Sequence, residues 1–112
     1  LLFGFSSIFE RQSEDQAEMK LLASKLADNT YREEMVLALE SYKKATTEKE
    51  RKYFKKQFDW AKSICDRRYQ SEFQRYKDLW DDYESFGGKE SLDTPNELGK
   101  IFDNALRMEL PE

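Results

Sequence analysis

The sequence predicts an all-α fold: a small antiparallel bundle of three to four helices built on one long central helix over about 48–85. Three observations carry this. Apolar residues recur three or four positions apart in four separate segments. Segment starts are marked by Ser or Thr with Glu or Gln three residues on, the spacing of a capping box. No run of alternating polarity is long enough to be a strand.

The first segment has two candidate starts, Ser7 with Glu10 and Ser13 with Gln16. Met19, Leu22, Ala23 and Leu26 then share one face, and Asp28-Asn29 is the expected break. The second segment should start at Thr30, paired with Glu33, and bury Tyr31, Met35, Ala38, Leu39 and Tyr42. A third start is marked by Thr47 with Glu50. No Gly or Pro lies between Gly4 and Gly87, so 30–85 reads equally as one helix or two.

From Glu48 to Ser85 nothing interrupts a helix. Phe54, Phe58, Ala61, Cys65, Tyr69, Phe73, Tyr76, Trp80 and Tyr83 recur at an average near 3.6 residues, the period of a straight helix. Such a rod is about 57 Å long at ~1.5 Å per residue. Gly87-Gly88 supplies its stop. The last segment is expected to open on Thr94 as N-cap, with Pro95 first in the helix and Glu97 completing the box. Its stripe is Leu98, Ile101, Phe102, Ala105 and Leu106, and Pro111 should close it.

The 112 residues suit one domain, 1–112. Apolar residues make up only 38% and mean hydropathy is −0.93, so the core must be modest and the shape elongated, or a partner must help. Aromatic content of 14% argues against disorder. No run reaches the ~18–20 apolar residues of a membrane span. The apolar stretch 1–9 reads either as the remnant of an anchor or signal segment or as a surface that packs on this domain or a partner. A membrane enters only through a segment ahead of Leu1, and cytoplasmic and membrane-associated locations both fit.

Charge is divided into blocks. Residues 1–42 carry net −4, residues 43–77 net +7 and residues 78–112 net −7. Acidic segments lying along the basic helix would account for this without any partner, and that arrangement is expected. The other reading is a surface for an anionic partner built from Lys49, Arg51, Lys52, Lys55, Lys56, Lys62, Arg67 and Arg68. Tyr53, Phe54, Phe58 and Trp60 are interleaved with these cations, as in a nucleic-acid grip, although a pI near 5.0 counts against one.

Little in the chain suits catalysis. It has no histidine, so it lacks the usual general base, zinc ligand and pH switch. Cys65 falls on the apolar stripe, where a thiol is inert. A calcium loop set on Asp82 would put Phe86 at a ligand position and Asp93 in place of the final Glu. Carboxylate di-metal sites need Glu-x-x-His pairs, which are absent. The expectation is therefore a non-catalytic helical module for protein–protein interaction or assembly, with no cofactor and no metal. Its candidate partner-binding residues are Trp60, Tyr69, Phe73, Tyr76, Trp80 and Tyr83, Tyr and Trp being common at interfaces. The partner is another protein or a second copy pairing through the aromatic helix. The alternative is a nucleic-acid-binding helical protein using 43–77.

Overall fold

The computed structural model describes the backbone of residues 2–85 and 92–111, and the side chains of residues 14–84 and 92–111. Five α-helices are present among the described residues: α1 (Leu2–Ala27), α2 (Thr30–Lys44), α3 (Glu48–Arg68), α4 (Gln74–Ser85) and α5 (Pro95–Leu106). A single π-helical turn, Tyr69–Phe73, joins α3 to α4 without interrupting the rod, so residues 48–85 form one continuous spine. Among the described residues there is no strand. The fold is the expected all-α antiparallel bundle.

There are three layers, and the outer two both run antiparallel to the spine. On α1, the Lys25 carbonyl accepts from Arg68 and Glu18 pairs with Arg75, so α1 and the spine run in opposite senses. Helix α2 continues in line with α1 and doubles back on α3: Tyr31 meets Trp60, while Leu37 and Ser41 lie beside Tyr53 and Phe54. The third layer is α5 with its tail. Tyr76 donates to the Asp93 carbonyl, Phe102 lies by Phe73, and Lys62 donates to the Met108 carbonyl. The resulting body measures 71 × 21 × 17 Å, with a radius of gyration of 19.0 Å. A compact chain of this length would have about 13 Å.

An elongated body divides its core. One cluster joins Met19, Leu22 and Leu26 of α1 to Phe73, Tyr76 and Leu79 of the spine and to Leu98 and Phe102 of α5. The other joins Met35 and Ala38 of α2 to Phe58, Ala61 and Cys65 of α3, with Ala105 of α5. Each fully buried Leu, Met or Phe contributes about 1.5–3 kcal/mol relative to exposure. Helix α5 touches both clusters and holds them together.

The π turn corrects the straight-helix expectation, and its cause lies in the stripe. Ala61, Cys65, Tyr69 and Phe73 are three consecutive steps of four, 12 residues in three turns. An α-helix covers three turns in about 10.8 residues. The surplus of about one residue would turn Phe73 away from the face that Ala61 and Cys65 set. One wide turn absorbs it, and Phe73, Tyr76, Leu79 and Tyr83 stay buried.

Several boundaries also differ from expectation. Helices α2 and α3 are separate: Ala45 is extended, and Thr47 caps α3 by accepting the Glu50 amide at 3.2 Å. Thr30 is not the cap of α2. The N-cap position is Asn29, whose side chain makes no capping bond, and Asp28 before it accepts from both the amide (3.0 Å) and the hydroxyl (2.6 Å) of Thr30. Neither Ser7 nor Ser13 opens α1, which is helical from Leu2. The Thr94 capping box on α5 is formed as expected, with Pro95 in the first turn. That helix ends at Leu106, ahead of Pro111. Met108 and Leu110 then pack on the second cluster as a non-helical tail. The Gly87-Gly88 stop, Phe86 and the side chains of 1–13 lie outside the described residues.

Candidate interaction surface

Five of the six expected partner-binding aromatics are used by the fold itself. Phe73, Tyr76 and Tyr83 are buried under α1 and α5. Tyr69 and Trp80 are half-buried and packed on the same cluster. The Tyr76 hydroxyl is satisfied by the Asp93 carbonyl at 2.6 Å, and burial pushes its pKa up to about 12. The aromatic stripe is thus covered within one chain, so these five aromatics serve the fold's own core. Only Trp60 remains open, 51% exposed, with its ring edge-on to Tyr31 at 5.6 Å.

The apolar surface that does remain lies elsewhere. Among the described residues six large apolar side chains are exposed, and four of them sit on the α2–α3 hairpin: Val36, Leu37, Tyr53 and Trp60. Leu37 and Tyr53 are each 58% exposed. Leu37 forms the ridge between two shallow grooves. One, of about 370 Å³, is lined by Val36, Arg32 and Met108. The other, of about 160 Å³, runs to Tyr53 and Phe54. The periodicity of α2 contained this signal, because Tyr31, Met35, Ala38 and Tyr42 place Leu37 on the opposite face.

The cations divide into two groups. Lys62 is half-buried, donating to the Met108 carbonyl at 2.8 Å with its ammonium 5.8 Å from the Phe58 ring centre. Arg68 is also half-buried; it donates to the Lys25 carbonyl at 3.1 Å and lies 5.1 Å from the Tyr31 ring centre. These two fasten the tail and the end of α1 to the spine. Arg51 pairs with Glu48 at 2.6 Å. Lys49, Lys52, Lys55, Lys56 and Arg67 are exposed and form no ion pair with a described residue.

Acidic segments do not blanket this basic region, contrary to the sequence expectation. Charge is separated along the rod instead. The hairpin end, residues 38–60, carries seven cations and four carboxylates, net +3. The opposite end, built from 14–20, 77–84 and 92–98, carries nine carboxylates and two lysines, net −7.

Cys65 is buried, and that burial raises its thiol pKa, so it stays protonated at neutral pH. The candidate calcium loop lies partly outside the described residues. Among those described, no three His, Cys, Asp or Glu side chains are grouped as metal ligands, and no helix is long and apolar enough to cross a membrane. No protein-family model, curated protein or solved structure matches the chain.

Proposed function

We propose that this chain is a non-catalytic helical module that docks another protein on its α2–α3 hairpin. The observation that carries this reading is the concentration of Val36, Leu37, Tyr53 and Trp60 there, exposed beside unpaired lysines. Exposed aromatic and apolar groups with a cationic rim are what a protein interface uses. Absence of histidine, together with a protonated buried thiol, supports a role without chemistry. Nucleic acid is the rival partner, favoured by Trp60 beside Lys56. A net charge of only +3 at the hairpin end, in a chain of pI near 5.0, is a weak footprint for phosphate and counts against it.

A photo-crosslinking side chain placed at Tyr53 or Trp60 in the native cell tests this, with one at Asp103 as control. A discrete protein adduct from the first two positions alone is the expected result. An adduct to nucleic acid, or none beyond the control, overturns the reading.

A further inference from the structure

One face of the spine is exposed along its whole described length. In α3 it comprises Lys49, Lys52, Lys56, Trp60 and Arg67; it continues through Ser71 in the π turn to Asp78 and Asp82 in α4. Successive members lie three, four or seven residues apart, with exposed Ser63 and Arg75 filling the two longer gaps, so they form one stripe. Trp60 meets Tyr31 of α2 and Arg75 meets Glu18 of α1 at its margins. The stripe is basic at one end and acidic at the other. Its basic pair Lys52 and Lys56 and its acidic pair Asp78 and Asp82 have the same internal spacing, four residues, and their midpoint is residue 67, beside the π turn.

We propose that this stripe binds a second copy of the same chain, with the two spines antiparallel and Lys52 and Lys56 of each facing Asp78 and Asp82 of the other. The proposal goes beyond the interaction reading above, because it concerns the spine face, which shares only Trp60 with that docking surface. Charge complementarity carries it. A twofold axis crossing the stripe near the α3–π junction brings basic onto acidic at both ends, so the surface is self-complementary. A parallel alignment would oppose like charges instead. The net −4 of each copy does not prevent this approach. At physiological salt, charges are screened beyond about 8 Å, a short distance on a 71 Å rod, so local pairing outweighs net repulsion. The stripe offers only Trp60 as a large apolar group, so the pairing is ionic and salt-sensitive.

Charge reversal in the full chain tests it, read by sedimentation velocity and small-angle scattering. The parent chain should dimerise in low salt, dissociate as salt rises, and keep a maximum dimension near that of one protomer. Two variants are then made, Lys52→Glu/Lys56→Glu and Asp78→Lys/Asp82→Lys. Each alone opposes like charges at both contacts and should weaken self-association about tenfold or more. Their equimolar mixture restores opposite charges at both contacts of the heterodimer and should return affinity to within roughly threefold of the parent. All four positions are exposed, and circular dichroism verifies that both variants stay folded. A parent chain that is monomeric at every salt, variants that still dimerise, a mixture that does not recover, or open-ended growth with concentration each overturns the pairing. A crosslink from Tyr53 to a different protein, with a monomeric chain, would overturn the pairing and leave the docking module standing.

Discussion

The Arg32 guanidinium stands 5.6 Å from the centre of the Phe102 ring and donates to the carbonyls of Leu26 and Ala27 at 3.3 and 3.4 Å. One side chain of α2 thereby caps the end of α1 and covers a core ring of α5. Burial lowers the Arg32 pKa, yet arginine has ample margin to stay charged. Arg32→Ala should cost about 1–3 kcal/mol, through two lost charge-assisted bonds and a lost cation–π contact. Arg32→Lys should recover only part, because an ammonium lacks the planar fork. Denaturant midpoints for the three chains decide it; an Arg32→Lys chain as stable as the parent would show that the fork does not matter, and no loss in Arg32→Ala would show that neither contact does.

Tyr76 is fully buried, with its hydroxyl on the Asp93 carbonyl. Tyr76→Phe should cost about 1–2 kcal/mol by leaving that acceptor unpaired. The parent also acquires a pH limit. A folded pKa of about 12 lies above the unfolded value near 10. The contribution is complete below about pH 10 and is lost as pH rises through about 12. Alkaline unfolding followed by phenolate absorbance should therefore start at lower pH in any variant that exposes Tyr76.

The capping box at Thr94 predicts that Thr94→Ala costs about 1 kcal/mol. Both halves of the box are formed, the Thr94 hydroxyl accepting the Glu97 amide and the Glu97 carboxylate accepting the Thr94 amide. Urea unfolding measures the loss. No change would mean that Pro95 alone fixes the start of α5.

Glu18 and Arg75 make two parallel bonds at 2.8 and 3.0 Å. Hydrogen bonding from Arg75 holds the Glu18 carboxyl below its ordinary value. A depressed pKa gives stability that is present above the unfolded value, about 4.3, and is lost as pH falls through the folded value. Glu18→Gln should narrow the difference in denaturant midpoint between neutral and acid pH. The effect should be small and should shrink with salt, because both partners are largely exposed.

At Gly99, α5 packs against Phe73 of the π turn. A Cβ there would sit 3.3 Å from Cζ of Phe73. That ring is stacked on Tyr69 at 5.1 Å and is also near Phe102, so it has little room to yield. Gly99→Val should cost about 1–3 kcal/mol by overpacking. Gly99→Ala should fail to deliver the roughly 1 kcal/mol normally gained on removing a helical glycine. Thermal melts of both variants test this, and a clearly stabilised Gly99→Ala would refute the close-packing account.

Features fixed by neighbouring residues were readable from the sequence. The Thr94 box and the Thr47 cap depend on three or four residues and formed as expected. Thr30 misled because Asp28, two positions earlier, offers a stronger acceptor. The π turn was present in the pattern as three consecutive steps of four, but averaging over the whole stripe hid the surplus. The cover over Phe73 and Tyr76 was not readable, since it depends on where α1 and α5 pack. For the same reason Tyr53 and Leu37 emerged as surface groups only once α2 had its place on α3.

Two core clusters on one spine imply that the protein opens in parts. Helices α2 and α3 meet across a three-residue connection, so their contacts close a short loop. Glu18 and Arg75 are 57 positions apart, and that contact closes a much longer one at a higher entropy cost. The N-terminal helix should therefore detach from α4 while the α2–α3 hairpin stays folded, a sub-global opening distinct from complete unfolding. Amide hydrogen exchange would resolve the order, with α2 and α3 protected longest and α1 exchanging first.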